Sequence, residues 1–186
     1  MNLILKNCPV LHNKDYHFRN GIHFYLTTDK TIQKKIQRCF KDKKQKGTTI
    51  VIDNHEACAR VFRKYAYFVN YKEKTFLHRH RKLKSMLHPD SKIAEALDVH
   101  SEVFDLRFQQ LWHWSYICSC AIGLEKGKSI LFFPWIPAKE CCVQSYRIKK
   151  LYEYAQSNDL IVIIPTDSLD NFRTIISEDV KYSVYE

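Results

Sequence analysis

The chain has 186 residues, 45% of them hydrophobic and 27% charged, and a formal net charge of +10 at neutral pH. That length suits one domain able to bury a sizeable core, and the composition is that of an ordinary globular protein, not a disordered or fibrous one. No apolar run approaches the roughly 20 residues of a membrane-spanning helix, and the first residues lack a signal-peptide layout. The expected location is therefore the cytoplasm, including the inner face of the membrane as a peripheral protein. Seven cysteines without a secretory signal are expected as free thiols. Cys118 and Cys120 stand two apart in a predicted helix and do not share a face, and Cys141-Cys142 fares no better as a zinc pair.

In chain order, Asn2 to Lys6 reads as a short apolar strand, broken by Pro9. Tyr16, Phe18, Ile22, Phe24 and Leu26 alternate with polar residues around Asn20-Gly21, a hairpin or a bend feeding a strand from Ile22 to Leu26. Thr27 to Lys30 is polar, after which Ile32, Ile36, Cys39 and Phe40 recur at helical spacing. A basic loop ends at Gly47. Thr48 to Ile52 is a β-branched strand with Asp53-Asn54 as its turn. A short helix over Ala57 to Lys64 and a strand over Tyr65 to Val69 follow. His78 to Leu87 is expected as a basic helix stopped by Pro89, and Asp90 or Ser91 as the cap of a helix from Ile93 to His100. Ser101, Phe104, Phe108, Leu111, Trp112, Ser115 and Cys118 predict a long helix, apolar nearly all round and hence buried, with Gly123 as its C-cap.

The run Ile130 to Phe133 is continuously apolar, as in a strand buried on both faces. A helix from Tyr146 to Ser157 and a second apolar run from Leu160 to Ile164 complete a βαβ unit with a parallel sheet. Ligands of such sheets sit beyond the carboxyl ends of the strands. There the chain offers Pro134 and Trp135 after the first run and Pro165-Thr166-Asp167 after the second.

Local motifs for catalysis or metal binding are weak. Gly123 to Ser129 imitates a phosphate loop but is one residue short, and it leaves a helix to enter a strand, the reverse of what phosphate binding by a helix start requires. His78-x-His80 alternates with cations and suits a surface better than a metal. His113, between two tryptophans, is expected as a core histidine. Lys30 to Lys46 holds eight basic residues and Lys72 to Lys84 six. Within the first group Lys34, Lys35, Arg38, Lys41, Lys43 and Lys44 make a candidate basic patch. Either a nucleic-acid backbone or an anionic membrane surface would meet such clusters, and so would plain solvent.

Taken together, the elements resemble one family over almost the whole chain, the nucleotide-binding domain of ABC-type ATPases. The opening LKNCPVLHNKDYHFRNGIHFYL looks like its first strands, and TIVIDN like the following antiparallel strand and turn. AYFVNYKEKTFL resembles the strand and Q-loop, with Asn70 in place of Gln. FDLRFQQLWHWSYICSCAIGL resembles the signature motif and its helix, with Asp105, Arg107, Gln109 and Gln110 in the signature stretch. SILFFPWIP is similar to the Walker B strand, and LIVIIPTDSLD to the switch strand, with Thr166 at the family's His and Asp167 beside it. The resemblance implies an α/β, P-loop-NTPase-like fold: a mostly parallel sheet flanked by helices, a small antiparallel part and a short helical subdomain at about 76–104, all in one domain over 1–186.

The departures fall on the catalytic parts. The Walker A position reads LTTDKTIQKKIQ, without glycine; it includes Thr28 and Lys30, with Lys34 at the phosphate-binding lysine and Lys35 in place of the Ser/Thr that binds magnesium. Without glycine the loop cannot adopt the positive-φ backbone that wraps phosphate. Pro134 and Trp135 replace the magnesium-organising Asp and the catalytic Glu, and Leu106 and Arg107 the signature glycines. Phosphoryl transfer depends mostly on positioning and on charge stabilisation by lysine and magnesium, so no catalytic residue and no resident cofactor is expected; ATP and magnesium enter only if the altered site still binds them. The resulting expectation is a degenerate ABC-transporter ATP-binding subunit, a partner of a membrane permease or of an active ABC ATPase subunit, in a homo- or hetero-oligomer. A DNA-binding protein on the same scaffold, of the CRISPR-associated ring type, is the second expectation. A diverged active ATPase is the third.

Overall fold

The computed structural model describes residues 1–11, 14–41, 48–71, 73, 75–168 and 182–185. The amino-terminal part forms β1 (Asn2–Lys6), β2 (Tyr16–Arg19), β3 (Gly21–Leu26), α1 (Ile32–Lys41), β4 (Thr49–Ile52) and β5 (His55–Glu56). Then come α2 (Ala59–Tyr65), β6 (Ala66–Phe68), α3 (Phe76–Arg79), α4 (Lys92–Ala96) and α5 (Ser115–Glu125). The chain closes with β7 (Ile130–Phe132), α6 (Ala138–Val143), α7 (Ser145–Ser157), β8 (Ile161–Thr166) and β9 (Tyr182–Tyr185). An antiparallel sheet has the order β2-β1-β4-β5, and a parallel sheet the order β6-β7-β8-β3-β9.

Asn20-Gly21 is a bend, not a hairpin. β2 pairs with β1, whereas β3 pairs with β8 and β9 in the other sheet. Gly21 has φ +124, a backbone state open to glycine, and so lets consecutive strands part between sheets.

The parallel sheet divides two cores by simple alternation. Ile130, Phe132, Ile161 and Ile163 face the antiparallel sheet, packing with Leu3, Leu5, Phe18 and Phe62. Leu131, Phe133, Val162 and Ile164 face the other way, toward Ile122 of α5 and Leu151 of α7. The period of two along a strand sends neighbours to opposite faces, so a run that is apolar at every position serves both cores.

Two expected helices are interrupted. The helix expected at His78 to Leu87 is broken: α3 stops at Arg79, and a single 3-10 turn covers Leu83–Ser85. The long helix expected from Ser101 begins at Ser115, after three one-turn 3-10 helices, Ser101–Asp105, Phe108–Gln110 and Trp112–Trp114. Residues 81–83 and 106–108 instead lie side by side, with Leu83 N–H donating to Leu106 O at 3.0 Å and Phe108 N–H to Arg81 O at 2.9 Å. Val103, Phe104, Phe108 and Leu111 are all buried, so successive turns keep the three-to-four spacing of a helix without its hydrogen bonds. His113 consequently lies exposed on a turn, not in the core.

Gly123 does not end its helix. A Cβ there would meet the Tyr67 ring at 2.6 Å, so the glycine permits close packing against β6. Gly127, at φ +68, terminates α5: its N–H donates to Leu124 O at 2.8 Å, and Lys128 N–H to Gly123 O at 3.1 Å. Ser91 is the cap of α4, accepting from Ala94 N–H at 3.2 Å. α6 and β9 had no counterpart in the pattern read from the sequence.

Phe132 and Phe133 are 2% and 3% exposed, each in a different core. Truncating either to Ala is expected to cost about 3–5 kcal/mol in denaturant unfolding. Losses below about 1 kcal/mol at both would contradict a central position for β7.

Candidate functional site

The carboxyl ends of β6, β7, β8 and β3 carry Asn70, Pro134-Trp135, Thr166-Asp167 and the loop Thr27–Thr31. Parallel strands leave their last carbonyls pointing into this rim, and each needs a donor. Gln33, buried on the inner side of α1, supplies two of them: its Nε2 donates to Val69 O and to Phe132 O, both at 2.9 Å. Trp135 Nε1 donates to Thr27 O at 2.7 Å. Thr27 N–H donates to Thr166 O at 2.8 Å, and Ile136 N–H to Pro165 O at 2.9 Å.

The loop entering α1 is organised by Asp29. Its Oδ1 accepts from Thr31 N–H at 2.9 Å and from the Thr31 hydroxyl at 2.7 Å, and its Oδ2 from Lys35 Nζ at 2.7 Å. Lys35 and Thr31 hold the carboxyl well below the usual carboxylate range, at about 2. An amide at a helix start, a hydroxyl and an ammonium are also the donors that receive phosphate in a nucleotide-binding loop. Here the chain's own carboxylate takes them. Lys30 Nζ lies 5.2 Å from the centre of the Trp135 ring, closing the loop against the end of β7.

These residues do not fit magnesium with a nucleotide triphosphate. Phosphate approaching α1 would meet the Asp29 charge, and no residue from 27 to 31 has positive φ. Asp167, the carboxylate at the end of β8, accepts Ala138 N–H at 2.9 Å and so caps α6. Among the described residues no group of three or more His, Cys, Asp or Glu side chains could hold a metal ion.

The residues anticipated from sequence distribute as follows. Lys30, Lys35, Trp135 and Thr166 meet at the rim. Thr28 and Lys34 are exposed beside it, and Pro134 is half-buried. Asn70 is at the rim with φ +58, but its groups turn to α5, the backbone N–H to Ser119 Oγ at 2.7 Å and Nδ2 to Ser115 Oγ at 3.2 Å. The signature-like residues have partners elsewhere: Asp105 pairs with Lys84 at 2.7 Å and Lys82 at 3.3 Å, and Arg107 N–H donates to Gln110 Oε1 at 2.9 Å. Gln109 is exposed. Of the basic patch, Lys34, Lys35 and Arg38 are exposed on α1. Lys41 ends α1, while Lys43 and Lys44 lie outside the described residues. Asp29 and Gln33 were missed. The signals were an Asp two residues before a Thr at a helix start, and a polar residue on the stripe of Ile32 and Ile36.

No protein-family model matches the chain, and no curated protein matches it in sequence. Its fold is shared by solved structures. cbiO1 from Clostridium perfringens, part of the ABC transporter complex cbiONQ, gives a TM-score of 0.66 at 13% identity, over 90% of this chain and 79% of that one. A nucleotide-free ATP-binding cassette from an ABC transporter gives 0.71 at 10% identity, over 100% and 88%. A bacterial Atm1-family ABC exporter with ATP bound gives 0.63 at 12% identity, over 100% of this chain and 37% of that one. The chain therefore has the α/β, P-loop-NTPase-like fold of ABC ATP-binding domains. Among the described residues no helix is long and apolar enough to cross a membrane.

Gln33→Leu removes the side-chain donor to Val69 O and one of two donors to Phe132 O, which keeps the Val69 N–H, and is expected to destabilise the protein by about 1–3 kcal/mol. The exposed Lys34→Ala should change stability by less than about 0.5 kcal/mol. Equal effects of the two substitutions in denaturant unfolding would contradict the bridging role of Gln33.

Proposed function

We propose that this chain is a catalytically degenerate ABC-type ATP-binding subunit, acting as a non-hydrolytic binding or structural partner of an active ATPase subunit or a membrane permease. The reading is carried by Asp29, whose carboxylate is bound by Thr31 and Lys35 where a nucleotide phosphate would need those donors. The Trp135 indole reinforces it, standing where carboxylates would organise magnesium and donating to the loop itself. The transporter components that share the fold support a transporter-type partner. On this reading residues 1–186 form one domain, with a helical subdomain at about 76–104 built from short turns, and the protein works in the cytoplasm within a homo- or hetero-oligomer.

Phosphoryl transfer relies on fixed cationic and metal groups around the γ-phosphate, and a fixed anion opposes each of them. The protein is expected to show no magnesium-dependent ATP hydrolysis above a protein-free control, measured by phosphate release. Turnover that Lys34→Ala abolishes would overturn the proposal.

A further inference from the structure

We infer that the surface formed by α3 and the turns from Asp105 to Ser115 seats on an anionic lipid surface, with Trp112 and Leu77 entering the headgroup region. Trp112 is 81% exposed and Leu77 is 73% exposed, the two highest values among the large apolar side chains of the described residues. They stand on neighbouring elements, because Phe108 N–H donates to Arg81 O just beyond α3 and Arg79, Phe108 and Trp112 line one cleft of about 450 Å³. Trp112 also has φ +42, a left-handed backbone state costly for a bulky side chain. Phe108 and Leu111 of the same turns are buried while the Trp112 indole stays out in solvent.

The surrounding charge is predominantly positive. Arg79, Arg81, Lys82, Lys84 and Arg107 are exposed on these segments, and Asp105 is the one carboxylate within 76–84 and 105–115. Asp105 is already paired with Lys82 and Lys84. A tryptophan and a leucine ringed by cations match the interface of an anionic bilayer, where indole sits at headgroup level and basic side chains meet lipid phosphates. The exposed Gln109 gives the cleft beside Arg79 a polar group for a headgroup. Single-stranded nucleic acid would also meet this charge, but it binds by stacking bases on aromatic rings. Leu77 has no such face and would stay exposed. None of the rim residues Asp29, Thr31, Lys35 and Trp135, which carry the nucleotide-site reading, takes part in this surface.

The test is co-sedimentation of the full chain with vesicles of phosphatidylcholine alone or with about one third phosphatidylglycerol, read together with tryptophan emission. Retention is expected on the anionic vesicles, weakening as salt rises, with a blue-shifted emission that Trp112→Ser abolishes. Arg81→Glu with Arg107→Glu should lower partitioning more than tenfold, at roughly fivefold or more per cation. Lys92→Glu with Lys149→Glu carries the same charge change elsewhere and should have a far smaller effect, with circular dichroism confirming that all variants fold. Equal loss from the two pairs, an emission unchanged by vesicles, or binding to a single-stranded oligonucleotide without binding to vesicles would each overturn the inference.

Discussion

The carbonyl groups at the carboxyl ends of the parallel strands set the terms for this protein. They are fixed by the sheet and aimed into a rim where unpaired polar groups are costly. Open α/β sheets that bind nucleotide leave such a rim free for phosphate and metal. In this chain the rim is closed by its own side chains. Gln33 spans the ends of β6 and β7, and the Trp135 indole reaches Thr27 O.

The charge follows from the same closure. The start of α1 presents an amide, a hydroxyl and an ammonium, a local field that calls for an anion. Asp29 supplies one from within the loop, at a short and fixed distance, and three donors keep it ionised. An internal carboxylate loses no translational freedom on binding, so it outcompetes a dissolved anion of similar affinity. A loop held in this way has no need of glycine, and none is present between Thr27 and Gln33.

How much of this was legible depended on how local each interaction is. Ile130 to Phe133 and Leu160 to Ile164 declared buried parallel strands because each side chain had to be apolar for a sheet covered on both faces. The segment from Ser101 to Trp114 misled because a chain of 3-10 turns buries Phe104, Phe108 and Leu111 with nearly the period of a helix. What decides between them is the pairing of residues 81–83 with 106–108, which no local pattern encodes. At the rim, Pro134 and Trp135 after the first apolar run were visible in the sequence. The Asp29 turn was locally readable as an Asx turn, and Gln33 as a polar residue on an apolar stripe. The contact of Trp135 with Thr27, 108 positions away in the chain, was not.

The closed rim is best tested at the Trp135 indole N–H, followed by NMR while magnesium and ATP are raised to millimolar concentration, with Trp135→Phe assigning the signal. The account predicts a resonance that stays in place, protected from solvent by its bond to Thr27 O. A saturable shift or loss of that resonance would contradict it, showing that nucleotide displaces the indole and opens the site.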